Sequence, residues 1–108
     1  MDQKIEQYLI SLVNEVLNSP NFSNLPQEQK VIYQQKIRTF LDSIVIDTII
    51  DNLNDEQINS LKDIPADSQQ MEDKIEEYSS QIPFLAEELE DKLKESVETL
   101  KTNPQTLT

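Results

Sequence analysis

Residues 26 to 53 constrain the fold more than any other stretch, because they place apolar side chains on two sides of one helix. Tyr33, Ile37, Phe40, Leu41, Ile44 and Val45 make a first stripe, centred near the direction of Ile37 at about 100° per residue. Ile46, Ile49, Ile50 and Leu53 recur at i, i+3, i+4 and i+7 and make a second, turned from the first by roughly 150 to 180°. Within "SIVIDTIIDNL" only Ser43, Asp47 and Asp51 keep a narrow polar arc. A helix of about 40 Å with two apolar sides must be covered from two sides.

The rest of the chain supplies helices for that purpose. Ile5, Leu9, Leu12 and Val16 form a stripe over 3–18, which Pro20 stops. "NSPNFSNLP" follows as a loop whose Phe22 and Leu25 fold back onto the core, and Pro26 suits the first turn of the next helix. Asn54 with Gln57 three residues later has the spacing of a capping box, and opens a short helix over 55–62. Asp67 or Ser68 caps a helix over 68–81, with Met71, Ile75, Tyr78 and Ile82 on one face. Pro83 breaks the path, because the residue before proline avoids helical angles. The last helix is expected over 83–101, on Leu85, Leu89, Leu93, Val97 and Leu100, with Glu88–Lys92 and Glu90–Lys94 as i,i+4 pairs. The prediction is one all-α domain over 1–102, a small bundle of four to five helices around one long central helix, with 103–108 a flexible tail.

Composition sets the limits of function. Leu, Ile, Val and Phe make up 32 of 108 residues, enough apolar material for a modest core. Histidine, cysteine and glycine are absent. That removes the ligands of most transition-metal sites, the usual general base, the soft nucleophile and every glycine-dependent phosphate loop. The net charge of −12 argues against nucleic acid and anionic membranes as partners. No run reaches the roughly 18 to 20 apolar residues of a spanning helix, and the acidic N-terminus does not read as a signal peptide. The expectation is a cytoplasmic protein. Residues 55–108 hold 14 acids against 5 bases, so the second half carries most of the acidity.

Carboxylate motifs give little. "NLNDEQINSLKD" sets Asn52, Asn54, Glu56 and Asp63 near EF-hand positions, but Gln57 stands where the sharp turn needs glycine. Asp47 with Asp51, and Glu87 with Asp91, lie one turn apart, as solvated helix faces commonly do. No nucleophile, base and oxyanion donor can be assembled around them, so no enzyme, metal or cofactor is expected.

"LPQEQKVIYQQKIRTFLDSIVIDTIIDNLNDEQINSLKDI", followed by "IPFLAEELEDKL", resembles a family of small acidic helical proteins of unknown function from candidate-phyla (Patescibacteria) bacteria. The shared features are a Leu-Pro start, a long helix, a cap at "LNDEQ" and an Ile-Pro before the last helix, over 25 to about 100. The resemblance implies a bacterial cytoplasmic setting and no activity.

Two arrangements satisfy the long helix. In one, the chain's own helices cover both stripes. In the other, Ile46, Ile49, Ile50 and Leu53 form an interface with a second copy or another protein, since four uncovered side chains of that size approach an interface patch. The functional expectation is a non-catalytic interaction module, self-associating or offering a groove to a partner helix. The alternative is an acidic regulator that binds a basic protein surface, by nucleic-acid mimicry or otherwise, through Glu87, Glu88, Glu90 and Asp91.

Overall fold

The computed structural model describes residues 3–65 and 68–107. Among these residues there are six α-helices, one 3-10 turn and no strand. They are α1 (Gln3–Leu17), α2 (Pro20–Ser23), α3 (Gln27–Asp51), α4 (Asp55–Leu61), α5 (Gln69–Ser79) and α6 (Leu85–Thr102), with the 3-10 turn at Pro104–Leu107. The fold is a small all-α bundle around one long helix.

The sequence boundaries shift by one or two residues. Three differences go further. The loop expected before the long helix contains the one-turn α2, because Pro20 sits at its start and Ser19 leads into it with extended backbone. Pro26 is the N-cap of α3 rather than its first residue, and its carbonyl accepts from the amides of Gln29 and Lys30 at 3.0 Å each. Residues 104–107, expected within a flexible tail, fold as a 3-10 turn with Leu107 packed on the core. Of the two caps proposed for α5, Ser68 holds the place, its hydroxyl accepting from the Met71 amide at 3.2 Å; Asp67 lies outside the described residues.

The long helix resolves its two stripes in a way that the periodicity did not suggest. Its buried apolar residues are Ile37, Leu41, Val45 and Ile49, each four positions after the last, with Thr48 buried beside them and Leu53 buried just past the helix end. Four residues advance about 400°, so a row of this spacing slips about 40° per step and turns about 120° from Ile37 to Ile49. The two stripes are the two ends of one oblique row. α6 repeats the device with Leu85, Leu89, Leu93 and Val97. Rows of this spacing are the ridges that helices interdigitate when they pack.

α1 lies along α3, contributing Leu9, Leu12, Val13 and Val16 to the core. α6 then runs over both. Phe22 on α2 is buried and meets the Tyr33 ring edge-on, centroids 5.6 Å apart. Polar groups fasten the same elements. Arg38 on α3 donates to Glu6 of α1 at 2.5 Å and to Asp42 at 2.9 Å, while Lys101 on α6 pairs with Glu15 of α1 at 2.9 Å. Asn21 on α2 donates to the Lys101 carbonyl. The hydrogen bonds to Arg38 and Lys101 hold the Glu6 pKa below, and the Lys101 pKa above, their ordinary values.

The other end is fastened differently. The capping box of α4 forms as the sequence indicates: Asn54 Oδ1 accepts from the Gln57 amide at 2.8 Å, and Gln57 Oε1 accepts from the Asn54 amide at 3.1 Å. The helix reverses the chain and delivers α5, which leans on α3 and α4. A 2.6 Å contact between the hydroxyls of Ser60 and Tyr78 ties α5 to α4. No residue of α5 is fully buried, although Met71, Ile75 and Tyr78 pack half-buried against the core.

Candidate functional site

A groove of about 890 Å³ opens between α5, the C-terminal half of α3 and the start of α6, with Ile5 of α1 also lining it. Its size falls within the range of small-ligand and peptide-anchor pockets. Val45, Ile46 and Ile49 on α3 line one side. Met71 and Ile75 on α5 line the opposite wall. Leu85 and Leu89 close the third side, from the oblique row that also fills the core.

The charged side chains that line the groove among the described residues are acidic. Glu72 and Glu76 on α5 and Glu87 on α6 line it, and no lysine or arginine does so among the described residues. Glu87 falls in the first turn of α6, where the helix dipole favours a carboxylate.

Phe84 stands at the mouth. It is 77% exposed, more than any other large apolar side chain among the described residues. It is also the only non-glycine residue among them in the left-handed region, at φ 60° and ψ 17°. That conformation costs about 1 to 2 kcal/mol for a residue with a Cβ. Local geometry enforces it: Pro83 ends the turn after α5, and the Phe84 carbonyl must accept from the Glu88 amide at 3.1 Å to start α6. The consequence is an aromatic ring set out of the core beside an apolar groove.

The sequence-predicted interface residues divide. Ile49 and Leu53 belong to the core, at 3% and 9% exposure, with Ile49 also reaching the groove. Ile46 is half-buried and lines the groove, while Ile50 points outward at 36% exposure and does not line it. The acidic residues divide as well. Glu87 faces the groove, Glu88 accepts from Asn52 Nδ2 at 3.1 Å and neighbours Lys92 at 3.8 Å, and Glu90 pairs with Lys94 at 2.8 Å. Asp91 is exposed. They differ in their partners, although all four lie on one side of α6.

Sequence reasoning missed the wall and the mouth. Met71, Ile75 and Ile82, one helix face by sequence, pack half-buried against the core and also line the groove. Phe84 carried a usable signal: it follows a proline and falls outside the row Leu85, Leu89, Leu93, so its ring has no place in the stripe. Among the described residues no three histidine, cysteine, aspartate or glutamate side chains gather as metal ligands would. No helix among them is long and apolar enough to cross a membrane.

Comparison of the chain with family models, curated proteins and solved structures gives no match.

Proposed function

We propose that this chain is a non-catalytic protein-interaction module whose groove seats one amphipathic helix of a partner protein, apolar on the inward side and basic along its edges. The observation that carries this reading is an apolar lining joined by Glu72, Glu76 and Glu87, with no lysine or arginine lining the groove among the described residues. Apolar walls reward an apolar stripe at i, i+3, i+4 and i+7, the usual mode of helix-in-groove recognition. The glutamates select lysine or arginine on either side of that stripe, and the net charge of −12 steers such a partner inward. Phe84 supplies an exposed aromatic anchor of the kind that dominates binding energy at interfaces.

A helical peptide patterned with leucine and lysine, titrated against the full chain by fluorescence anisotropy, tests the reading. Binding should weaken roughly tenfold on Phe84→Ala, the scale of an interface anchor. It should also fall in the triple variant Glu72→Gln, Glu76→Gln and Glu87→Gln. A leucine–glutamate peptide of the same length should not bind. Equal binding of both peptides, or indifference to Phe84→Ala, would overturn the groove as the binding site.

A further inference from the structure

Sulfur is scarce in this chain, and the fold sets it at the groove. The sequence holds no cysteine and two methionines, Met1 and Met71. Met71 lies in the first turn of α5, where its amide donates to the Ser68 hydroxyl at 3.2 Å. Its side chain is half-buried, packs against the core and lines the groove. A thioether in such a place is an adaptable apolar filler, and it is also a group that a peroxide can reach. The rest of the lining decides what oxidation does there. The carboxylates of Glu72, Glu76 and Glu87 accept hydrogen bonds and do not donate them. The hydroxyls of Ser68, Ser79 and Ser80 already donate, to the carbonyls of Pro65, Glu76 and Glu77 at 2.7, 2.9 and 2.7 Å. The other side chains that line the groove among the described residues are apolar. A new oxygen on Met71 therefore meets no side-chain donor among them.

We infer that Met71 is an oxidation site that switches the groove: a peroxide turns its thioether into a sulfoxide, and the groove then releases its partner helix. The switch rests on the groove reading above. In the step, a sulfur lone pair takes one oxygen of hydrogen peroxide and the O–O bond breaks. The proton on that oxygen passes to the departing hydroxide, which leaves as water. The sulfur is oxidised as the peroxide is reduced. The sulfoxide oxygen needs a hydrogen bond, and a partner helix that is apolar on its inward side brings no donor either. The side chain therefore turns to water, and the wall of α5 loses an apolar contact. A dithiol reverses the change, taking the oxygen back as water and becoming a disulfide. The chain has no thiol of its own, so oxidant and reductant both come from outside it.

The test treats the full chain with hydrogen peroxide and reads oxygen uptake at Met71 by mass spectrometry. The leucine–lysine peptide is then titrated by fluorescence anisotropy. Binding should weaken about tenfold once Met71 is converted, the effect of one polar group left without a partner. A methionine sulfoxide reductase supplied with dithiothreitol should restore it. Met71→Leu nearly keeps the side-chain volume and leaves Met1 in place, so its binding should be the same before and after peroxide. Circular dichroism of the oxidised wild type should match that of the untreated chain. Full conversion of Met71 with unchanged binding, an equal loss in Met71→Leu, or an oxidised chain without its helix signal would each overturn the inference. A Met71 that resists peroxide while Met1 is oxidised would do the same. All four leave the groove standing, because the untreated wild type still binds. An untreated wild type that ignores the peptide removes the groove, and the switch with it.

Discussion

α5 and α6 are similar as sequences and different as structure. Both are acidic and amphipathic, with apolar residues at helical spacing on one face. Yet α6 buries five residues, Leu85, Leu89, Leu93, Val97 and Leu100, and α5 buries none. The difference lies in their neighbours. α6 packs on α1, α2 and α3 together, so its row is enclosed from several directions. α5 leans on α3 and α4, and α4 is only two turns long. The same stripe that makes a core in one place leaves a groove in the other. An apolar helix face therefore reports what a helix can bury, while the elements around it settle what it does bury.

The sharpest way to break this comparison is to place a charge on each side of the line between core and surface. Ile49 and Ile50 are consecutive, yet one is 3% and the other 36% exposed. Ile49→Glu sets an unpaired carboxylate in the core, and the penalty rivals the roughly 5 to 15 kcal/mol that holds a small domain together. Circular dichroism should show an unfolded chain. Ile50→Glu should stay folded and lose no more than about 1 kcal/mol. An unfolded Ile50→Glu would show that the outer side of α3 is covered after all.

Truncation of the two helices gives the next largest effect. Leu93→Ala removes a side chain that is 1% exposed and should cost about 2 to 5 kcal/mol in urea unfolding. Ile75→Ala, on the half-buried wall of the groove, should cost no more than about 1.5 kcal/mol, because little of a cavity is created. Equal losses would mean that α5 is as much a part of the core as α6.

Much of this architecture was legible in the sequence, for reasons that can be named. Proline and capping signals act through local sterics and hydrogen bonds, so Pro20, the Asn54–Gln57 box and Ser68 marked helix ends correctly. Phe22 and Leu25 were assigned to the core from inside a loop, since a large apolar residue there has nowhere else to go. The winding row on α3 was read as two stripes, because a window of fixed period averages over a slip of about 40° per step. The groove was not legible. It depends on how far α5 stands from α3, a distance between elements that no local pattern encodes.

The strained turn at the mouth separates stability from recognition. Phe84→Gly removes the Cβ that makes φ 60° costly, while glycine loses more chain entropy on folding. The net change should be a gain of up to about 1 kcal/mol in urea unfolding. The same substitution deletes the exposed ring, so peptide binding should weaken as it does for Phe84→Ala. A more stable protein that binds less well is the signature of a residue kept for contact, and unchanged binding would assign Phe84 no part in recognition.

The smallest expected effect probes the opposite end of the molecule. The hydrogen bond from Arg38 lowers the Glu6 pKa, and the same bond raises that of Arg38, so both partners favour the charged pair. A carboxylate whose folded pKa is lowered contributes stability in full above its unfolded value near 4.3, and loses it as pH falls through the lower folded value. Arg38 keeps its charge across that range. Glu6 is 43% exposed, so solvent screening holds the contribution to less than about 1 kcal/mol. Urea unfolding of the wild type and of Glu6→Gln should therefore differ at pH 7 and converge below the folded pKa. A difference of the same size at both ends of the range would show that Glu6 holds α1 to α3 by packing, with no help from its charge. In that case the α1–α3 end of the bundle would owe its firmness to the apolar row alone, as the contrast between α6 and α5 already does.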